Sequence, residues 1–250
     1  MFEPLTWRLR LFLANPASAK YAVYRRLYNL VVLNLPYKKN YCNVCGWEGY
    51  RFRAIAGADY IRYNAGCPGC GSAERQRALI QYMNKRGYFD KKGLRYLDIG
   101  PVPGFKAYFE AMGCDYISID LESASAMIKM DDAQMGFPDD TFDFIIASHV
   151  LEHIKDDVQA IKEMFRVLRS RGLCFIIVPF SKNRTDTIEY KKPNILDPGH
   201  VRSYGLDISD RIESIGFKVE KIDLVSEANN DDVKRYGLGL EEICFICTKI

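Results

Sequence analysis

The pattern that most constrains this chain is an apolar strand that runs into a glycine-bearing turn, followed by further strands that end in polar residues. Residues 95–99 form the predicted buried strand, and the turn at Gly100 leads into a predicted helix over residues 104–112. The next apolar run ends in Asp120, about 20 residues further on, where a carboxylate suits two ribose hydroxyls. Because the ends of parallel strands meet at one edge of a sheet, this pattern predicts a nucleoside-binding pocket on an open α/β sheet.

The glycine turn also indicates which ligand is disfavoured. Gly100 and Gly104 have the spacing G-x-x-x-G, with Val102 between two prolines. Dinucleotide-binding folds use G-x-G-x-x-G, which brings backbone N–H groups to a pyrophosphate. Proline lacks that donor and stiffens the turn. The turn therefore favours a ligand without phosphate at this position over NAD.

Strands and helices alternate along the rest of the chain, which predicts a largely parallel sheet. Apolar strands are predicted over residues 142–148 and 173–178, with a helix over residues 156–168 between them. A last helix over residues 207–215 precedes two strands, over residues 217–224 and 241–249, that a polar loop joins into an antiparallel hairpin. The segment between Asp120 and Met127 is too short for a crossover helix, so either a loop makes the crossover or the third strand lies elsewhere.

Three further motifs occur in a characteristic order: Asp132-Ala133, residues 137–143 (FPDDTFD) and residues 149–153 (HVLEH). Together they resemble the small type of class I S-adenosylmethionine-dependent methyltransferase, over residues 94–250. Residues 166–172 (RVLRSRG) stand where that family usually has a Pro-Gly-Gly turn. Several motifs in order are more specific than one glycine pattern. The resemblance implies a Rossmann-like seven-stranded sheet, mostly parallel, with an antiparallel C-terminal hairpin.

The resemblance also implies which residues bind the cofactor S-adenosylmethionine. Asp98 would lie behind the methionine moiety, Asp120 would bind the ribose and Asp132 would accept from the adenine amino group. The Ala133 N–H would meet the adenine ring, and the end of the fourth strand would face the sulfonium. These roles suit a ligand that offers donors at its ribose and amine groups. The full predicted set is Asp98, Gly100, Gly104, Asp120, Leu121, Asp132, Ala133, Ser148 and His149.

Two dithiol pairs, Cys42-x-x-Cys45 and Cys67-x-x-Cys70, precede this region. Their separation of about 20 residues is typical of a four-thiolate zinc site, and a glycine follows each pair. The pattern predicts a zinc-ribbon-like module whose zinc ion is structural, since four thiolates leave no open position for water or substrate. Two disulfides in an exported protein are the alternative, which the absence of a recognisable signal peptide disfavours.

The other four cysteines are predicted to pack in the core. Cys244 and Cys247 also have C-x-x-C spacing, but residues three apart in a strand point to opposite faces, so they cannot bind one ion together. Cys114 and Cys174 are interpreted in the same way.

Charge and composition divide the chain into four predicted parts: a basic helical arm (1–40), the zinc-ribbon-like module (41–72), a connecting helix (73–93) and the methyltransferase-like domain (94–250). Seven Lys and Arg residues and one Glu precede Cys42, a net charge of +6 in a chain whose total is +3. An aromatic, basic arm is compatible with contact to an anionic membrane or a partner. Packing on its own domain, or on a second subunit in a homodimer, remains an equal alternative.

Cysteine content and hydropathy indicate the compartment. Eight cysteines without an evident secretion signal indicate a reducing environment. No apolar run approaches the roughly 18 residues that span a bilayer. We expect a cytoplasmic protein, either soluble or peripheral to the inner face of the membrane.

The chain has three histidines, His149, His153 and His200, and these are the side chains whose ordinary pKa lies near neutrality. His200 lies in a polar segment, residues 197–205 (DPGHVRSYG), after the fifth strand, where acceptor-binding segments of the resembling fold occur. We predict His200 as the catalytic base, with His153 second. A purely structural imidazole remains the alternative for each.

The methyl acceptor is the least constrained property. The chain lacks the Asn/Asp-Pro-Pro-aromatic motif that resembling amino-group methyltransferases carry after strand four. Our first hypothesis is therefore O-methylation of a hydroxyl on a sugar, a glycan or a related small acceptor. The second is an rRNA or tRNA methyltransferase whose zinc module, rich in aromatic and Arg residues, binds nucleic acid. The third is a non-catalytic cofactor-binding scaffold.

Overall fold

The structure is a computed structural model that describes residues 16–56, 60–191 and 199–250. The start of the chain before Pro16, including part of the predicted arm, lies outside the described residues. The described N-terminal region consists of helix α1 (Pro16–Val32), an antiparallel pair β1 (Asn40–Tyr41) and β2 (Glu48–Gly49), a second antiparallel pair β3 (Arg53–Ala56) and β4 (Ile61–Gly66), and helix α2 (Glu74–Lys85). Helix α2 falls within the segment predicted to connect the two larger parts.

A seven-stranded sheet follows. Its strands are β5 (Arg95–Ile99), β6 (Asp115–Asp120), β7 (Ile128–Lys129), β8 (Phe142–Ser148), β9 (Leu168–Ile177), β12 (Phe217–Asp223) and β13 (Ile243–Lys249). Their spatial order is β12-β13-β9-β8-β5-β6-β7. The five strands from β5 to β9 are parallel, and β13 is antiparallel to both of its neighbours. This confirms the predicted mixed sheet with its C-terminal hairpin.

The sheet is flanked by α3 (Pro103–Ala111), α4 (Asp157–Val167) and α5 (Ile208–Glu213), and a short antiparallel pair, β10 (Ile188–Glu189) and β11 (Arg202–Ser203), lies between β9 and α5. Two features differ from the prediction. Strand β9 begins directly after α4, with an irregular register against β8, whereas we expected it to begin at residue 173. The loop between the last two strands contains a short helix, α6 (Asn230–Arg235), which Asn229 caps at its N-terminus.

The crossover between β6 and β7 is a loop, as one of the two predicted alternatives required. Residues 121–127 contain no helix, yet β7 pairs parallel to β6. Side chains of β6 replace the missing helical hydrogen bonds, because Asp120 Oδ1 accepts from two loop N–H groups and Ser118 Oγ accepts from the N–H of Met127. The short connection keeps β7 at the sheet edge beside Asp120.

Buried side chains form one cluster on each face of the sheet. On one face, α4 packs Ile161 and Met164 against the strands, and Cys247 belongs to this cluster. Cys244 belongs to the cluster on the other face, which confirms that the two cysteines point in opposite directions. Helices α2 and α3 and three of the four N-terminal cysteines also pack in this second cluster. The region that holds these cysteines (residues 41–56 and 60–72), called the cysteine module below, therefore shares a hydrophobic core with the sheet.

Arg77 on α2 is the largest fully buried side chain of this contact. Its guanidinium lies 3.8 Å from the centre of the Phe52 ring. It donates to the backbone carbonyls of Ser72, Tyr236 and Gly237 at 2.6–3.1 Å. A buried cation needs such a complete set of partners, so Arg77 joins the cysteine module to the C-terminal region.

In the described part of the chain, no helix combines the length and apolar character needed to cross a bilayer.

Candidate functional site

A cleft of about 1010 Å³ opens where the parallel strands end. Residues after β5, β6, β7 and β8 line it, together with the start of the segment that carries His200. Seven of the residues predicted for the site are brought together here: Gly100, Asp120, Leu121, Asp132, Ala133, His149 and His153. This is the position at which open α/β sheets bind ligands, since the strand order reverses between β5 and β8.

Gly100 forms the floor of the cleft between β5 and α3. Its φ of +69° lies in the left-handed region, which suits glycine. A Cβ atom at this position would lie 2.6 Å from Val150 Cγ2, which is closer than two non-bonded carbon atoms approach. The Gly100 N–H donates to Ile119 O, which fixes the turn on β6. A side chain at residue 100 would therefore collide with Val150, and the turn requires glycine at this position.

Asp120 ends β6 and faces the same turn. Its Oδ1 accepts hydrogen bonds from the N–H groups of Glu122 and Ser123, both at 2.7 Å. Its Oδ2 lies 3.9 Å from the position that a Cβ on Gly100 would occupy. One oxygen therefore orders the crossover loop, while the other is directed toward the floor of the cleft.

Asp132 follows β7 and is 9% exposed. Its Oδ1 is buried and has no hydrogen-bond donor among the described residues. Burial, and then the negative charges of Asp120 and Asp131, raise the pKa of Asp132 to about 7. A buried acceptor without a donor is costly, so this oxygen suits a ligand that supplies one. Ala133 lines the cleft, but its N–H already donates to Asp131 Oδ1, so the predicted contact of this N–H with adenine is not available here.

Four predicted residues lie outside the lining of the cleft, namely His200, described below, and Asp98, Gly104 and Ser148. Asp98 is buried in β5, where Tyr116 donates to its Oδ2 at 2.6 Å and burial raises the pKa of Asp98 to about 7. Gly104 requires a correction, because it packs on the cysteine module, where a Cβ would lie 2.5 Å from Cys70 Cβ. Ser148 ends β8, and its buried Oγ has no partner among the described residues.

The two histidines predicted as candidate bases lie side by side, although 47 positions separate them in the chain. The rings of His153 and His200 meet edge to face, with centroids 4.8 Å apart. Glu152 lies beneath them at 1% exposure. One ligand atom from each of the three side chains falls within 4.8 Å of the others. Of the three, His153 lines the cleft, and Gly199 next to His200 does so as well.

Backbone contacts bring His200 to this position. Residues Leu151–His153 form a 3₁₀ turn, and the N–H of Val201 donates to the carbonyl of Glu152 at 2.9 Å. The buried guanidinium of Arg202 donates to the carbonyls of Leu151 and Lys155, both at 2.8 Å. The His200 segment is therefore attached to the turn that carries Glu152. Residues 197 and 198 of the predicted acceptor segment lie outside the described residues.

Glu152 is a candidate site residue that the sequence-based predictions do not include, although it lies within the HVLEH motif. His149 Nδ1 lies 3.3 Å from Glu152 Oε1, and His149 adopts a φ of +58° that is uncommon for a side chain of this size. Burial is the largest single effect and raises the pKa of Glu152, but the contact with His149, a backbone hydrogen bond and the electrostatic effect of His153 together outweigh it, so the pKa lies below its usual value. Burial lowers the pKa of His149, and the cations Arg75 and Arg62 lower it further against the opposing effect of Glu152. The sequence signal that could have identified Glu152 is its position as a carboxylate between His149 and His153 in an otherwise apolar turn.

The four N-terminal cysteines form a separate centre. Their sulfur atoms all lie within 4.8 Å of one another, with Cys42 Sγ 3.8 Å from Cys70 Sγ and Cys45 Sγ 3.6 Å from Cys67 Sγ. A tetrahedron with metal–sulfur bonds of about 2.3 Å has edges of about 3.8 Å. The glycine after each pair has a φ of +75° or +79°, so the two loops turn in the same way around the sulfurs. The residues present fit a tetrahedral metal ion.

Comparisons with known proteins agree with the fold of the sheet. A family model described as a methyltransferase domain matches residues 72–222. A Mycolicibacterium smegmatis protein named probable S-adenosylmethionine-dependent methyltransferase is 33% identical over 89 residues, 35% of this chain and 33% of that protein. The ubiquinone/menaquinone biosynthesis C-methyltransferase of Rickettsia rickettsii is 30% identical over 114 residues, 44% of each chain. The matches thus span less than half the length of these curated relatives.

Among solved structures, the 1,6-didemethyltoxoflavin-N1-methyltransferase of Burkholderia thailandensis superposes with a TM-score of 0.53. The match covers 71% of this chain and 78% of that one at 16% sequence identity. At this identity the likeness concerns the fold alone.

Proposed function

Because the chain belongs to the methyltransferase-domain family, we propose that its cleft binds S-adenosylmethionine and that it methylates a hydroxyl group of a sugar, a glycan or a related small acceptor. Gly100 would form the floor beneath the cofactor, Asp120 would bind the ribose and Asp132 would accept from the adenine amino group. The observation that carries the proposal is the buried oxygen of Asp132, which lacks a donor and lies in the same cleft as Asp120. When bound, S-adenosylmethionine supplies an electrophilic methyl group on a sulfonium sulfur.

The group formed by Glu152, His153 and His200 supports a hydroxyl as the acceptor. A neutral hydroxyl is a weak nucleophile at neutral pH and gains reactivity when a positioned base removes its proton. A histidine can take that proton, and a buried carboxylate beside it stabilises the imidazolium that forms. We assign the base to His200 first and to His153 second. The acceptor oxygen then forms the new bond to carbon, the carbon–sulfur bond breaks, and the proton remains on the imidazole.

Separate measurements of cofactor binding and turnover test this assignment. We expect His200→Ala to bind S-adenosylmethionine with unchanged affinity by calorimetry and to lose about 10²- to 10⁴-fold in turnover, the usual contribution of a general base. Added imidazole should restore part of the activity. His153→Ala is the parallel variant, and loss in this variant alone would transfer the role to His153. Full activity of both variants would exclude a histidine base.

The acceptor class requires a direct assay of transfer. Labelled methyl groups from S-adenosylmethionine should appear on hydroxyl-bearing sugars or glycans from the host and remain absent from its RNA. Transfer to RNA would replace this proposal with the second candidate. Cofactor binding without transfer to any host fraction would favour the non-catalytic scaffold.

The RNA candidate is favoured by one observation on the cysteine module. A groove of about 410 Å³ between the module and α6 is lined by four cations, Lys38, Lys39, Lys234 and Arg235, by two acids, Glu48 and Asp231, and by Tyr41. Lys38 pairs with Glu48 at 2.8 Å, and the excess of cations beside an aromatic ring suits single-stranded RNA. RNA binding through this groove should weaken steeply with salt, because contacts with phosphates release counterions. Binding that is indifferent to salt, or absent, would exclude this candidate.

We further propose that the four cysteines hold one structural zinc ion. Four thiolates complete a tetrahedral shell, so the ion would stabilise the module and take no part in the reaction. Metal analysis should find about one zinc per chain, lost in Cys67→Ser and retained in Cys114→Ser, which changes a buried cysteine outside the cluster. Folded protein without metal would exclude the zinc site.

A further inference from the structure

Among the described residues, helix α1 contacts the cysteine module through the face that carries Tyr28, Asn29 and Val32. On that face, Asn29 Oδ1 accepts from the N–H of Ala54 at 2.7 Å, and the rings of Tyr28 and Tyr63 lie 4.8 Å apart. Val32 at the end of the helix is buried. These contacts fix the orientation of the helix on the hairpin of β3 and β4. The opposite face consequently points outward.

The outward face is apolar. Val23, Leu27, Leu30 and Val31 follow the spacing i, i+4, i+7, i+8, which places them along one side of the helix. Each is between 54% and 66% exposed. Single exposed apolar residues are ordinary, but four on adjacent turns form a continuous ridge, and such a ridge marks an interaction surface.

Three arginines lie along one side of this ridge, where the helix meets β3. Arg25, Arg26 and Arg53 line a groove of about 770 Å³ beside the helix, with Leu30 and Leu33 on its edge. Residues 4–47 contain seven Lys and Arg residues and no Asp or Glu. A guanidinium fork is the side chain best suited to phosphate, and here three of them flank an apolar ridge.

We propose that the outer face of α1 docks on an anionic lipid surface, with the ridge entering the apolar boundary and the arginine groove binding lipid phosphate. An amphipathic helix with a basic border binds membranes in this way, through apolar burial and attraction to anionic headgroups together. A second copy of the chain fits this face less well. A two-fold contact would bring the cations of one helix against those of its partner, with no acidic side chain of either helix to offset them.

Vesicle co-sedimentation tests this inference independently of the methyltransferase activity. We expect the full chain to sediment with vesicles of phosphatidylglycerol and phosphatidylcholine in equal parts, and to remain in solution with pure phosphatidylcholine. Arg26→Gln should weaken binding about fivefold, since each cation near an anionic surface contributes about 1 kcal/mol. Leu27→Asp combined with Leu30→Asp should abolish binding. Inorganic phosphate should not release the protein if the lipid surface itself is required.

Matched controls separate this surface from a general change in folding or charge. Leu240→Asp alters a fully exposed leucine elsewhere, and Lys218→Gln removes an exposed cation from β12, so neither should affect sedimentation. The double α1 variant should keep the thermal stability and cofactor affinity of the parent. Two results would overturn the proposal: absence of binding to anionic vesicles, or a parent dimer that the double variant converts to monomer, which would assign the face to self-association.

Discussion

Asp132 offers the sharpest test of the cleft, because its replacement should change stability and cofactor affinity in opposite directions. The pKa of this carboxyl rises from the usual 3.8 to about 7, with burial as the largest cause. The folded protein therefore binds the proton more tightly than the unfolded chain does, and ionisation of Asp132 disfavours the folded state. Because a tenfold change in proton affinity corresponds to about 1.4 kcal/mol, this cost approaches about 4 kcal/mol above pH 7.

Asp132→Asn removes the charge and keeps an oxygen of similar size. The new amide loses about 1–2 kcal/mol if its NH₂ group stays buried without an acceptor, so we expect a net gain of about 2 kcal/mol in the free energy of unfolding at about pH 8. The unfavourable contribution of the wild-type carboxylate grows as the pH rises from about 4 to about 7. The advantage of Asn over Asp should therefore shrink by about 3 kcal/mol between about pH 8 and about pH 5.

The same replacement should weaken binding of S-adenosylmethionine about 10- to 100-fold, because a charge-assisted hydrogen bond contributes about 1.5–3 kcal/mol. Wild-type affinity should fall as the pH drops through about 7, whereas the affinity of Asp132→Asn should not depend on pH in that range. Urea unfolding at several pH values and calorimetry provide both measurements. Asp210→Asn, an exposed carboxylate outside the cleft, is the control and should change neither. Equal stability at all pH values, or unaltered affinity, would refute the role assigned to Asp132.

Three further replacements test the supporting structure. Gly100→Ala should destabilise the protein by about 2 kcal/mol or more and impair cofactor binding. Gly93→Ala is the control: its φ of +72° is similar, but no atom lies within 4 Å of the added Cβ, so it should cost only about 1 kcal/mol and leave binding intact. Thermal melts and calorimetry measure the two effects. Arg77→Lys should lower the free energy of unfolding by about 3 kcal/mol, because the N–H groups of an ammonium lie on one nitrogen and cannot reach the three carbonyls that three separate guanidinium nitrogens contact. An unchanged urea midpoint would contradict this. Tyr116→Phe removes the hydrogen-bond donor to Asp98 and should lower the free energy of unfolding by about 1–3 kcal/mol. The decrease should be larger above about pH 7, where Asp98 is ionised, and a decrease that does not depend on pH would contradict that ionisation.

Much of the sheet could be predicted because its signals are local. The strand over residues 142–148 was predicted with its observed bounds, and the helix ending near Val167 within one residue at each end, since apolar periodicity reflects the face that each element buries. The early start of β9 and the capped helix α6 were missed. Both depend on neighbours: β9 begins early because β8 offers a pairing partner at Phe142, and α6 is too short to show periodicity.

In the candidate site, too, some residues could be predicted from the local sequence and others could not. Asp120 was predicted because it ends an apolar run that is visible in the chain itself, whereas Asp132 was assigned through the resemblance carried by Asp132-Ala133 and the motifs after it. The pairing of His153 with His200 was not visible, because Arg202 and the Val201 N–H create it through contacts with a distant turn. Gly104 was misassigned for a related reason. Its spacing suits a ligand turn, yet the cysteine module packs against it in the folded protein.

The amino-acid sequence alone thus determined the order of strands and helices, the acidic residues at the strand ends and the four-cysteine pattern, because each depends on spacing along a few turns of chain. Only the tertiary structure decided that Glu152, His153 and His200 lie together, that the cysteine module shares its core with the sheet and that α1 exposes an apolar ridge. These properties arise from surfaces that meet across long separations in the chain. Burial at such contacts shifts the pKa values of the carboxyl groups and determines which faces of the helices stay exposed. A local sequence pattern does not specify which surfaces will meet.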